Sequence, residues 1–190
     1  MTTPVHETTA EATYRWTRDA YDRAVEAGVF GPDDRLELIE GQLLAVTPQG
    51  SRHAAIVDQA GDVLREAFGA SCRVRIQCPL AAGDDSEPEP DLAVVPGQAR
   101  DYLHAHPTNA LLVVEVADDS LHRDRGVKQR LYARHGIPEY WILALPDACL
   151  EVYRDPAETG YRTVLSRRAG ETIAPLARPV ATIAVSDLLP

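Results

Sequence analysis

The chain has 190 residues, 45% hydrophobic and 25% charged. That composition fits a single domain over 1–190, one that buries roughly 70% of its unfolded surface on folding, and it excludes collagen-like, mucin-like and wholly disordered chains. The 19 basic residues against 29 acidic ones leave a net charge of −10, which excludes a protein that lives by broad, non-specific phosphate contacts; the apolar run Ala110–Val114 is broken at Glu115, which excludes a membrane span there, since spanning needs about 20 residues.

Residues 1–12 are rich in Thr and Glu without periodicity and are expected to be a mobile tail. No signal peptide is visible in the polar first twenty residues, so a cytoplasmic protein with no membrane partner is expected. Thr17 reads as an N-cap for a helix over Arg18–Ala27 that stops at Gly28, with Tyr21, Ala24 and Val25 as its apolar stripe. Leu36–Ile39, the pair Glu40-Gly41 and Leu43–Val46 form a hairpin pattern. After Pro48 and Gly50, Ser51 opens a helix to Phe68, whose Ile56, Ala60, Val63, Leu64, Ala67 and Phe68 follow the 3.6-residue period. Arg73–Leu80 alternates, with Val74, Ile76, Cys78 and Leu80 on one face, as a half-buried strand does. An acidic, Pro-containing loop, Ala81–Pro90, leads into a short strand Asp91–Val95. Leu111–Val116 is apolar enough to be a central strand covered on both faces. A helix from Arg123 to His135 ends at Gly136, and Tyr140–Leu145, Leu150–Arg154, Tyr161–Leu165, Glu171–Pro175 and Val180–Val185 supply further strands. The three cysteines form no CxxC pair and are expected to be reduced and mostly buried. The order predicts an α/β (α+β) fold: a mixed central sheet flanked by helices, preceded by an N-terminal helix and hairpin.

Three residues break these patterns. Glu115 lies inside Leu111–Val116, and a buried carboxylate is costly unless it is paired, protonated or bound to a metal. Asp91 follows Glu87-Pro88-Glu89-Pro90 and leads an apolar strand. Neighbouring strands would bring the two together, where carboxylates about 4 Å apart repel by roughly 4 kcal/mol at an effective dielectric of 20. A shared proton or a hard divalent cation offsets that repulsion. Lys128 is the only lysine beside 18 arginines; on its predicted helix it shares a face with Asp124, Leu131 and Tyr132 and can point toward Glu115. Each has an ordinary structural reading alone: an arginine-paired acid, an acid at a strand entrance, a surface lysine. Together they form the arrangement of a metal-dependent phosphodiesterase.

Pro90-Asp91 and Glu115-Val116-Ala117 resemble the PD-(D/E)xK nuclease motif. The ordered series Glu37-Leu38-Ile39-Glu40-Gly41, Ser51-Arg52-His53, Glu89-Pro90-Asp91-Leu92-Ala93-Val94-Val95, Val114-Glu115-Val116, Asp124-Arg125-Gly126-Val127-Lys128, Tyr132 and Gly136-Ile137-Pro138-Glu139-Tyr140-Trp141 is similar to the Uma-two family of restriction-endonuclease-like proteins. The resemblance implies a restriction-endonuclease-like core, Asp91 and Glu115 as ligands of Mg²⁺ or Mn²⁺, and DNA as substrate. It implies Lys128 as the catalytic lysine, displaced from position 117, where this chain has Ala117. Glu40 and His53 match family positions and are candidates for supporting the ligands.

The expected function is a metal-dependent DNA endonuclease in which Asp91 and Glu115 hold the metal and Lys128 positions the attacking water. The stretch Leu121–Arg134 carries four arginines and one lysine against one Asp, so Arg123, Arg125 and Arg130 are candidate phosphate contacts. Cleavage of two strands would call for a homodimer. The rival readings are an inactive binding module of the same fold, marked by Lys128 turned into solvent, and a phosphoesterase of small nucleotides, marked by a closed pocket over Asp91 and Glu115.

Overall fold

Thr17 caps the first helix as expected: its hydroxyl accepts from the Ala20 N–H at 3.2 Å, and α1 runs Arg18–Glu26. Its apolar face is narrower than the pattern suggested, because Tyr21 is buried but Val25 is 51% exposed. The computed structural model describes residues 13–31 and 33–190, so the tail expected over 1–12 lies outside the described residues. Strands β1 (Leu36–Ile39) and β2 (Gln42–Ala45) pair antiparallel through Glu40 and Gly41, whose φ of 49° and 75° both suit the tight hairpin turn. Helix α2 (Ser51–Phe68) has the predicted bounds and buries Ile56, Val57, Ala60, Leu64 and Phe68.

The main sheet has six strands in the order β3-β4-β5-β6-β7-β8. They are β3 (Cys72–Ile76), β4 (Leu92–Pro96), β5 (Leu112–Ala117), β6 (Glu139–Ala144), β7 (Cys149–Ala157) and β8 (Gly160–Arg167). Only β5 and β6 run parallel; the other neighbours are antiparallel. β3 is shorter than the alternation over Arg73–Leu80 predicts. Gln77 still gives its N–H to the Asp91 carbonyl at 3.1 Å, but its left-handed φ of 48° turns the chain out of the strand.

Two apolar layers sandwich the sheet. Residues of α2 and the C-terminal segment (Ile173, Ile183, Val185, Leu188) cover Val94, Val114, Val116 and Trp141 on one face. The other face, with Val113, Ala117, Tyr140 and Ile142, packs against Tyr132. Tyr132 belongs to a composite helix over 121–134: an α turn Leu121–Arg123, a π turn Asp124–Lys128 and an α segment Gln129–Arg134. It links the two parallel strands. The small ladder β9 (Thr172–Ile173) with β10 (Ile183–Ala184) replaces the longer strands expected at the C-terminus. Cys149 is buried, but Cys72 and Cys78 are only half-buried, and all three thiols are free.

The acidic loop folds away from the sheet edge. The backbone of Asp84, Asp85 and Glu87 bonds to Arg18, Gly41 and Leu38 at 2.7 Å each, so the loop lies between α1 and the hairpin.

Candidate active site

The β4–β5 ladder sets the geometry. Leu92 pairs with Val114, so the preceding and following residues, Asp91 and Glu115, stand opposite each other. Alternation along β5 turns Glu115 to the face of Val113 and Ala117, beneath the composite helix. Asp91 is 7% exposed and Glu115 3%. The Asp91 N–H lies 3.4 Å from Glu115 Oε2, and Asp91 Oδ2 accepts from the Val116 N–H at 2.8 Å.

Lys128 points inward. Its Nζ donates to Glu115 Oε1 at 2.9 Å and lies 3.6 Å from Glu37 Oε1. The Tyr132 hydroxyl donates to the same Glu115 oxygen at 2.9 Å. Burial raises the Glu115 carboxyl to about 8, even though the Lys128 charge pulls it down. Burial works against the Lys128 charge, but Glu115, Glu37 and Asp124 outweigh it and hold the ammonium above its ordinary value. Asp124 is buried beside them and shifted upward by burial, with Ser120 donating to its Oδ2.

Around Asp91 the support is denser than the sequence suggested. The Gln49 and Gln77 amides reach Oδ1 at 3.3 and 3.4 Å, and His53 Nε2 lies 3.2 Å from Oδ2. The hydrogen bond to Asp91 raises His53 above its ordinary value against the opposing effect of burial. These groups line one cavity of about 370 Å³, walled by residues 46–50 and including Glu37, Glu89, Asp118, Asp119, Arg35, Arg52 and Arg123.

Glu139 shows what a purely structural buried acid looks like in this fold. It is fully buried, and Arg154 at 2.6 and 2.9 Å, the Trp141 indole at 3.0 Å and the Leu176 N–H at 2.7 Å satisfy it. The floor of the cavity is different. Glu37, Glu115 and Asp124 share Lys128, Asp91 stands opposite Glu115, and Glu37 Oε2 is buried with no partner. An excess of hard oxygen donors with an orphaned carboxylate oxygen fits a divalent cation, and Mg²⁺ is usually held by one or two carboxylates plus waters. Among the described residues, three ligand atoms come within 4.8 Å of one another only at Asp147, Cys149 and Glu151. Arg125 clamps both carboxylates there, and none of the three lines the cavity.

The structure thus brings Asp91, Glu115, Lys128, His53 and Arg123 together. Glu40 is elsewhere: it sits in the hairpin turn, paired with Arg134 at 3.2 Å. Arg125 is tied to the β6–β7 turn by Asp147 and Glu151, and exposed Arg130 does not line the cavity. Sequence reading missed Glu37, Gln49, Gln77 and Asp124 as members of the site. Glu37 carried the same signal as Glu115, an acid within an apolar strand, but in a four-residue strand the signal is faint.

Residues 18–186 match the sequence model of the Uma2 family, described as "Putative restriction endonuclease". The fold resembles the crystal structure of a protein from Anabaena variabilis ATCC 29413 described as a "putative nuclease belonging to DUF820", with a TM-score of 0.66 and 16% sequence identity over 91% of this chain and 97% of that one. No curated protein matches the chain.

Proposed function

The chain belongs to the Uma2 family of restriction-endonuclease-like proteins, and on that premise we propose that it is a metal-dependent DNA endonuclease working at the Asp91–Glu115–Lys128 floor. Family membership supports a nuclease function. One juxtaposition supports the finer reading: Asp91 and Glu115 face each other across an antiparallel pair, and Lys128 is bonded to Glu115.

Asp91 and Glu115 would hold Mg²⁺ or Mn²⁺, with Glu37 offering a further oxygen. A cation held there polarises a phosphoryl oxygen and lowers the pKa of a bound water. Gln49, Gln77 and His53 fix the Asp91 carboxylate, so its oxygens need little reordering on binding. Lys128 remains an ammonium. Its role is therefore to donate hydrogen bonds that orient the attacking water and to stabilise charge developing on the phosphorane; it does not take a proton. Tyr132 keeps its proton and holds Glu115 in place. An inactive module would be favoured by Lys128 turned into solvent, yet the residue is 6% exposed.

Calorimetric titration of Mn²⁺ into the wild type, Asp91→Ala and Glu115→Ala tests the reading, followed by cleavage assays on single- and double-stranded DNA. Binding to the wild type that both variants lose, together with Mn²⁺-dependent cleavage that Glu115→Gln abolishes, is the expected result. A wild type that binds no divalent ion at millimolar concentration with DNA present overturns it.

A further inference from the structure

Resting on that phosphodiesterase reading, we propose that Arg35, Arg52 and Arg123 grip the phosphates of a single nucleic-acid strand, which the site takes without reading its bases. The three arginines come from three elements: the residue leading into β1, the first turn of α2, and the composite helix. All three line the cavity over Asp91 and Glu115.

Their lack of partners is the telling point. Among the described residues, none of the three makes an ion pair within 4.0 Å or a side-chain hydrogen bond. Acids are close at hand: Arg35 lowers the proton affinity of Glu89, and Arg123 that of Asp124. Elsewhere in the chain an arginine near an acid is engaged, as in Arg154–Glu139, Arg125–Glu151 and Arg134–Glu40. Free guanidinium groups around a carboxylate floor complement a phosphodiester chain, with a cation beneath the scissile group and arginines on its neighbours. A mononucleotide would leave most of that ring unused. The start of α2 adds open N–H groups, because its cap residue is Gly50 and no side chain bonds there.

The cavity selects for a single strand. Its floor is almost buried, and about 370 Å³ lies near the small end of ligand pockets, which run from about 300 to 1,000 Å³. A duplex holds its phosphates on a wide convex cylinder, so turning one of them into such a hollow costs local deformation of the helix. A single strand bends, so a phosphate can reach the floor while its neighbours cross the rim. The lining contains no Phe, Tyr or Trp ring for stacking, its one imidazole, His53, is held against Asp91, and the two amides that could read base edges, Gln49 and Gln77, both point at Asp91 Oδ1. Recognition is then by charge, through few contacts, which is compatible with a net charge of −10. One chain holds the whole site, and no second copy is needed.

Fluorescence anisotropy in Ca²⁺ buffer tests this with labelled oligothymidylate and oligoadenylate of about 15 nucleotides and a duplex of the same length. The wild type should bind the two single strands within about threefold of each other and the duplex at least about tenfold more weakly. Arg35→Gln, Arg52→Gln and Arg123→Gln should each weaken single-strand binding about three- to tenfold and flatten the slope of log K against log salt by about 0.7. Arg162→Gln, on exposed β8, should leave both unchanged. Equal or tighter duplex binding, a strong base preference, or arginine variants that bind like wild type overturn the proposal. Cleavage separates the two readings. Efficient duplex cutting lost in Glu115→Gln keeps the nuclease and sinks the single-strand grip; the expected binding pattern without any Mn²⁺-dependent cutting keeps the grip and sinks the nuclease.

Discussion

Lys128→Met removes the buried cation shared by Glu115 and Glu37. At an effective dielectric of 20, the 2.9 Å contact to Glu115 and the 3.6 Å contact to Glu37 are worth about 6 and 5 kcal/mol of gross attraction. Most of that is cancelled by the cost of burying the ammonium, and removing one partner of such a pair costs a net 3–5 kcal/mol or so. Glu115 can escape part of the cost by keeping its proton. Its carboxyl lies at about 8, above its unfolded value, so the proton-bound form stabilises the fold at low pH and that contribution is lost as pH rises through about 8. The variant should therefore lose about 3 kcal/mol near pH 8.5 but only about 1 kcal/mol near pH 5.5, where Glu115 is neutral with or without the lysine. For a chain of this size, about 3 kcal/mol lowers the melting temperature by roughly 6–12 °C. Adding Glu115→Gln should restore part of the loss, with a coupling of about 2 kcal/mol. Urea titrations of wild type, both single variants and the double variant at the two pH values measure all of this. Turnover of the single lysine variant should fall about 10²–10³-fold. A loss below about 1 kcal/mol at alkaline pH, or no restoration in the double variant, would refute the idea that Lys128 neutralises the floor.

His53→Ala frees Asp91 Oδ2 from its 3.2 Å neighbour and should weaken Mn²⁺ binding about 10–100-fold by calorimetry; an unchanged affinity would remove His53 from the site. Gln77→Gly relieves a left-handed backbone at φ 48° while deleting an amide on Asp91, so stability should hold or rise by up to about 1 kcal/mol while turnover falls, and a fall in both would mean the role is structural. Glu87 is buried with its Oε2 unpartnered, and burial lifts its carboxyl to about 7, so its proton stabilises the fold below the ordinary carboxylate range and that contribution is lost as pH rises through about 7. Glu87→Gln should accordingly change stability little near pH 4.5 and raise it by about 2 kcal/mol near pH 8, allowing for partial hydration; equal urea midpoints at both pH values would contradict this.

The parts of the fold that follow one periodicity were legible. Helix α2 has its predicted ends because the apolar stripe and Gly69 agree, and Glu40-Gly41 marks its hairpin. Elements failed where a single residue overrides the pattern. Gln77 alternates correctly yet the strand ends there, because its backbone takes a left-handed φ of 48°. The strand expected over Leu150–Arg154 runs on through Asp155-Pro156 to Ala157: β6 pairing ends at Arg154, so Pro156 has no ladder bond to donate on that side. Asp91, Glu115 and Lys128 were visible as anomalies of charge or number. Gln49 and Gln77 were not, because a polar residue on a loop or on the solvent side of an alternating strand violates nothing; only the folded chain aims both amides at one carboxylate oxygen.

That the buried lysine stands on the composite helix and not on β5 has a physical account. Position 117 is fully buried and stands in register with Ala144 across the parallel pair, within the layer that also holds Cys149, Tyr140 and Ile142. A lysine there would have to displace that apolar packing to bring its ammonium back to Glu115. Lys128 reaches the same carboxylate from above, off the composite helix. The π turn helps set its approach: the Gln129 N–H bonds to the Asp124 carbonyl, five residues back, and the Tyr140 hydroxyl donates to that carbonyl at 3.3 Å. One widened turn thus buries Asp124 and Lys128 together over β5, with Leu131 and Tyr132 packing below them. The consequence is electrostatic. From the helix the ammonium reaches Glu115 on the sheet at 2.9 Å and comes within 3.6 Å of Glu37 on the hairpin. The buried Lys128 charge is therefore also a tie between the hairpin, the sheet and the helix.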